Sequence, residues 1–435
     1  MMKNYTLFFK SFICCIAILA TTTASAQWEQ IQVLPATQNI FVAPNGNLIS
    51  SDFQFDYTGG IHYSVDKGAT WTKADVEDFA YTRMIQAGEY IIASGESCHL
   101  ARSKDNGVTW EVLSYAYMFT DYIPEEAITY NVAYAITYYK NKLFVADFGG
   151  GGVIYSEDFG ETWTMTDRES LKFVIDGNTT IDCFYNLAEN NNELLLFSVY
   201  FIYRLNETDY TWELLRSDSN FMGVSTTIDN KLICGRAIMN YNAKTPFLEY
   251  TEDGGRTWGS IAHADTTTYD CNVRAIHSDE KGMYVGLQNG GIFYTTDLGL
   301  TWLNISQGIP GINNENGTFT YNSPLVITSD EEYLYAAIYD VPWASNTASG
   351  IYRYKKENLP TASVDKIIND NVRIFAYNNT LYATENANIT IYDINGNKVK
   401  VAQNCNTVDI TSLARGLYIY EAYINGNRIT GKFAK

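Results

Sequence analysis

The chain has 435 residues, with 30 Lys plus Arg against 49 Asp plus Glu, a net charge of −19 and 46% hydrophobic residues. That acidity excludes a nucleic-acid binder, because a polyanion is held by Lys and Arg that displace its counterions. The length allows two or three domains, or one architecture that grows by repetition. With 34 Tyr and 31 Gly beside only eight Pro, the composition suits an all-β protein of short strands and tight turns, since aromatics fit pleated surfaces and Gly supplies positive φ.

Residues 1–26 read as a secretory signal peptide. Lys3 and Lys10 supply positive charge ahead of the apolar run Ile13 to Ala20, and Ala24-Ser25-Ala26 offers small residues for cleavage before Gln27. A membrane anchor needs about 18 to 20 apolar residues, more than this run contains, and no later segment is long enough to cross a bilayer as a helix. Cys98, Cys183, Cys234, Cys271 and Cys405 remain in the mature chain, widely spaced and with no C-x-x-C. We read them as buried free thiols rather than a disulfide frame or a metal site.

An internal repeat organises the following residues. Five segments share Ser/Thr-x-Asp-x-Gly-x-Thr-Trp: Ser64 to Trp71, Ser103 to Trp110, Ser156 to Trp163, Thr251 to Trp258 and Thr295 to Trp302. The aspartates Asp66, Asp105, Asp158, Asp253 and Asp297 are expected to close turns by accepting N–H groups a residue or two on. The Gly two positions later is expected to take the left-handed conformation, and Thr-Trp to restart a strand with the indole packed between layers. Five equivalent acids so far apart in sequence cannot share one site, so they are structural.

The tryptophans count the units. Trp71, Trp110, Trp163, Trp212, Trp258 and Trp302 each follow a Thr, 39 to 53 residues apart, and the Trp212 unit has lost the acidic turn. Trp28 opens WEQI, akin to WEVL at Trp110 and WELL at Trp212, whereas Leu325 to Lys356 supply the rest of a unit that never reaches a Thr-Trp. We therefore expect a seven-bladed β-propeller of four-stranded antiparallel blades over residues 27–358, closed by the N-terminal strand. Six or eight blades or an open solenoid fit the tryptophan count less well.

These repeats resemble the Asp-box (BNR) repeats of sialidase-like propellers, a device also found in xyloglucan-type glycoside hydrolases, sortilin-like receptors and photosystem assembly factors. The resemblance implies the fold and no particular activity.

Residues 359–370 form a linker. Residues 371–435 then read as a small C-terminal β-sandwich, with strand runs separated by turns at Asn395-Gly396, Arg415-Gly416 and Asn425-Gly426. IYDINGNKV (Ile391 to Val399) and Val408 to Lys435, ending Lys-Phe-Ala-Lys, resemble the type A C-terminal sorting domain of the type IX secretion system of Bacteroidetes. A carbohydrate-binding or immunoglobulin-like module is the competing reading. The resemblance implies passage through the periplasm and outer membrane by way of the type IX machinery, and a secreted or cell-surface protein.

Because the acidic turns join strands three and four, the opposite face of the ring is the expected ligand site. Tyr57, Tyr117, Tyr122, Tyr241, Tyr269 and Trp343 fall in its loops and could stack on sugars, or equally could only fill the channel mouth. A sialidase would show Arg-Ile-Pro and three convergent arginines. Tyr81-Thr82-Arg83-Met84 lacks the Pro, and Arg83, Arg236 and Arg274 are the arginines near inner strands. A neutral-glycan hydrolase needs two carboxylates, for which Asp56, Asp121 and Asp340 are the candidates, with Glu125, Glu126 and Asp147 also available. We expect a monomeric propeller that binds a glycan or protein partner, with no cofactor and no metal. A divergent sialidase-like or xyloglucanase-like glycoside hydrolase is the alternative.

Overall fold

A computed structural model describes residues 27–34, 37–53, 59–122, 133–175, 177–217, 222–236, 248–261, 272–299, 301–313, 319–339, 349–360, 374–377, 380–394, 396–414, 416–424 and 427–435. Segment 1–26, expected to be a signal peptide, and most of segment 359–370, expected to be a linker, lie outside them. Among these residues there is no α-helix, and hence no helix able to cross a membrane.

Seven four-stranded antiparallel sheets carry the larger part of the chain. Blade 1 comprises Thr37–Val42, Leu48–Phe53, Gly59–Ser64 and Thr72–Lys73. Blades 2 to 6 repeat this order and begin at Tyr81, Ala135, Phe184, Met222 and Val273. Blade 7 takes Ser323–Ser329, Tyr333–Tyr339 and Gly350–Lys355 from one end of the chain and Glu29–Val33 from the other, which pairs antiparallel with Gly350–Lys355. The first strands touch in succession around the molecule, and that of blade 7 touches that of blade 1, so the ring closes. The closure is buried and hydrogen-bonded: Trp28 is 2% exposed, and its indole N–H donates to the Ile305 carbonyl of blade 6 at 2.8 Å.

The repeated turns are built alike. In the first, Asp66 accepts from the Ser64 hydroxyl, and from both the N–H and the hydroxyl of Thr70, at 2.8, 2.8 and 2.6 Å. The Ser64 hydroxyl in turn accepts the Gly68 N–H at 2.8 Å. Asp105, Asp158, Asp253 and Asp297 repeat the bonds. The main partner is thus the Thr four residues on, not a group one or two residues on. Two successive residues are left-handed, Lys67 at φ 58° and Gly68 at φ 87°, where only the Gly was expected. Gly68 is required for space as well, because a Cβ there would lie 2.4 Å from Ile31 Cδ1 on the closure strand. Each turn therefore seats its Gly against the preceding blade.

The C-terminal unit is one antiparallel sheet of five strands, with Ile374–Tyr377, Thr380–Tyr392, Leu417–Ile424 and Asn427–Ala434 in order and Lys398–Asp409 along the free side of the long strand. Runs expected to be short merge into strands of 13 and 12 residues. A register break between Tyr382 and Ala387 bends the long strand. The bend lets Leu381 and Ala383 pack with Ile389, Ile391, Tyr420 and Phe433 in one core, so a folded sheet provides the two layers of a sandwich.

Candidate functional site

The face opposite the acidic turns carries the starts of the first strands and the ends of the second strands. On six blades the pairing of these two strands skips one residue near that end: Gln38, Thr82, Tyr185, Gly223, Arg274 and Leu325. A bulge bends its strand and re-aims a side chain, and bulges recur beside binding sites. Buried polar atoms without a hydrogen bond gather at the same end. Thr37 Oγ1, Asp52 Oδ1, Thr82 Oγ1, Asn272 Oδ1 and Asn322 Nδ2 are five of them, and Asp52 Oδ1 lies 3.5 Å from His62 Nε2.

Three neighbourhoods divide this face. Across blades 2 to 4, Tyr134, Phe148 and Tyr185 form an aromatic trio with centroids 5.2 to 6.3 Å apart. Arg83 and Glu96 both act electrostatically on Tyr134. Burial lowers the Arg83 pKa and pushes the Glu96 carboxyl up to about 7. Asp147 and Asp182, also buried, serve their own loops: Asp147 accepts the Gly151 N–H at 2.7 Å, and Asp182 accepts the Ser198 hydroxyl at 2.6 Å and the Tyr200 N–H at 2.8 Å.

At the rim, Tyr117 and Tyr122 are 57% and 49% exposed, and Asp121 stands exposed beside them. The Arg168 guanidinium lies over the Tyr122 ring at 4.4 Å while donating to the Gly150 and Gly151 carbonyls. In blade 5, Arg236 is 3% exposed and paired with Glu249, which Arg216 also holds at 3.2 Å.

Between blades 6, 7 and 1 a cavity of about 290 Å³ is lined by Gln38, Arg274, Gln288, Asn289, Ser323, Leu325 and Tyr339. Arg274 Nε donates to Gln288 Oε1 at 3.1 Å. A larger cleft of about 820 Å³ lies on the acidic-turn side, among Asn190, Asn191, Asn192, Asp229, Asn230 and Glu252. Its walls are hairpin turns, and Asn190 is already engaged with Asn230 and Gly254.

Of the site residues expected from sequence, Asp56, Tyr57, Tyr241, Tyr269, Asp340 and Trp343 lie outside the described residues, as do Glu125, Glu126 and Cys271. Arg83, Arg236 and Arg274 fall on blades 2, 5 and 6, with Tyr134, Glu249 and Gln288 as their respective neighbours. Sequence reasoning passed over Glu96, Asp52, Thr82 and Tyr185. Strand register singles out Thr82 and Tyr185, and burial singles out Asp52 and Glu96; neither is written in composition.

Comparison with known proteins bears on both parts of the chain. Residues 369–435 match the secretion system C-terminal sorting domain. No curated protein matches the chain. Among solved structures, YCF48 from Cyanidioschyzon merolae is similar at TM-score 0.50 and 13% identity, over 77% of this chain and 100% of that one. A structure described as YCF48 bound to D1 peptide is similar at TM-score 0.50 and 15% identity, over 75% of this chain and 96% of that one. At such identities the likeness concerns the fold, and it is that of a β-propeller. The chain is thus a β-propeller protein with a secretion system C-terminal sorting domain, exported by the type IX secretion system to the cell surface or extracellular space.

Proposed function

We propose that the protein is a binding propeller whose ligand, a glycan or a protein partner, docks on the ring face opposite the acidic turns. The row of inner-strand bulges near one end of six blades carries this reading, because bulges re-aim side chains and recur beside binding sites, and three of the bulge residues, Gln38, Arg274 and Leu325, line one cavity there. The peptide named with the YCF48 neighbour keeps a protein ligand within the scope of the fold.

Binding is favoured over hydrolysis because, among the described buried acids on that face, Asp147 and Asp182 are engaged by their own loops and Asp52 lies against His62, which leaves Glu96 where glycoside hydrolysis needs two available carboxyls. One observation favours the hydrolase reading: Glu96, with a pKa near 7, has the protonation of a general acid.

The mature chain tested on glycan and peptide arrays, beside a reducing-sugar release assay, separates these readings. Binding should weaken at least tenfold in Tyr185→Ala and Arg274→Ala and stay unchanged in Glu252→Ala on the other face. The reverse pattern refutes the assignment of the face. Sugar release abolished by Glu96→Gln would replace binding with hydrolysis.

A further inference from the structure

We infer that the cavity between blades 6, 7 and 1 is a subsite for a single neutral pyranose ring; this rests on the ring-face reading above. Three bulge residues, Gln38, Arg274 and Leu325, converge on this one cavity from three blades. The other lining groups are Gln288, Asn289, Ser323 and Tyr339.

Amides and hydroxyls both donate and accept, as sugar hydroxyls do. Gln288 is fixed in orientation, because its Oε1 accepts from both Asn272 Nδ2 and Arg274 Nε at 3.1 Å. That arrangement reserves its NH₂ for an outside acceptor. The first strands of blades 6 and 7, which both carry lining residues, are each preceded by an asparagine, half-buried Asn272 before Val273 and buried Asn322 before Ser323, and Asn272 Nδ2 helps to fix Gln288.

Charge and size narrow the class. Among the described lining residues there is no carboxylate and one cation, Arg274, which already shares the Gln288 amide. An anionic ligand would therefore lack a second positive group. The volume falls just below the roughly 300 Å³ at which pockets begin to hold drug-sized ligands, so one ring fits and a folded peptide does not. Tyr339 supplies an aromatic face for the C–H side of a sugar.

The test is saturation-transfer NMR of the mature chain with neutral methyl hexopyranosides and with methyl glucuronide, followed by calorimetry with neutral oligosaccharides. Tyr339→Ala and Gln38→Ala should each weaken neutral-sugar binding at least tenfold, and Tyr339→Phe should retain it. Circular dichroism and the thermal midpoint check that each variant is folded. Stronger binding of the glucuronide, wild-type affinity in both alanine variants, no neutral-sugar signal, or a peptide ligand mapping to Tyr339 would each overturn the subsite. If affinity falls in Tyr185→Ala but not in Tyr339→Ala, the subsite fails and the ring-face reading stands. If a ligand binds and no face variant changes it, both fail.

Discussion

Replacing Gly68 with Ala tests how the repeated turn holds the ring seam. Two costs add there. At φ 87° a residue with a Cβ is disfavoured by about 1–2 kcal/mol. The new methyl would also lie 2.4 Å from Ile31 Cδ1, and overpacking of this kind costs about 1–3 kcal/mol. The expected destabilisation is therefore about 2–5 kcal/mol. Gly46 provides the control, since it has φ 88° in the same blade but nothing within 4 Å of its virtual Cβ. Gly46→Ala should show the conformational cost alone, about 1–2 kcal/mol.

Ile31→Val removes the 2.4 Å contact and leaves the next nearest at 3.3 Å. It should therefore recover part of the loss in the Gly68→Ala background, although the substitution alone costs about 0.5–1.5 kcal/mol. Urea unfolding followed by tryptophan fluorescence measures the loss, and Trp71, whose Nε1 donates to the Ile31 carbonyl at 3.1 Å, is one of the eight tryptophans that contribute. Equal shifts for Gly68→Ala and Gly46→Ala, or no recovery with Ile31→Val, would refute the inter-blade packing argument.

Trp28→Ala should cost about 3–5 kcal/mol, by cavity formation and loss of the bond to Ile305, and should lower the unfolding midpoint more than Trp110→Ala, whose indole bonds to its own turn at Gly107. Hydrogen bonds from Thr70 and Thr257 hold Asp66 and Asp253 at about 2. Their contribution is present above the unfolded carboxylate pKa near 4 and is lost as pH falls through 2, so, scaled to each protein's stability at pH 7, wild type should lose a larger share of its stability between about pH 4 and 2 than an Asp253→Asn variant, whose profile should be flatter there. Glu96 has the opposite sign: with a folded pKa raised to about 7 by burial, it costs stability progressively from about pH 4.5 to 7, and Glu96→Gln should flatten that part of the profile. Deleting residues 369–435 should leave the propeller in the periplasm, read by fractionation and immunoblotting. Unchanged appearance at the surface or in the medium would refute the role of that domain.

The repeat was legible because each turn needs the same few atoms. An acceptor at Asp66, a hydroxyl at Ser64 and at Thr70, and a Gly with no Cβ are local requirements, so they recur in sequence at fixed spacing. Trp28 was legible for the same reason, since its strand obeys the outer-strand pattern despite lying at the other end of the chain. The second left-handed residue was not, because Lys67, Asn106, Phe159 and Leu298 all occupy it, and the surrounding bonds impose the conformation on unrelated side chains.

The binding face followed a different logic. Arg236 looked like a ligand arginine until the fold set it against Glu249. Glu96 looked like any loop acid until burial raised its pKa.

Local chemistry therefore dictated the strands, the turns, the closing strand and the export domain, because those depend on neighbours within a few residues. Which side chains share the ring face, which acids are already engaged and where a cavity opens depended on registers between strands and contacts between blades. Gln38 and Arg274 are 236 positions apart and meet only because the ring closes.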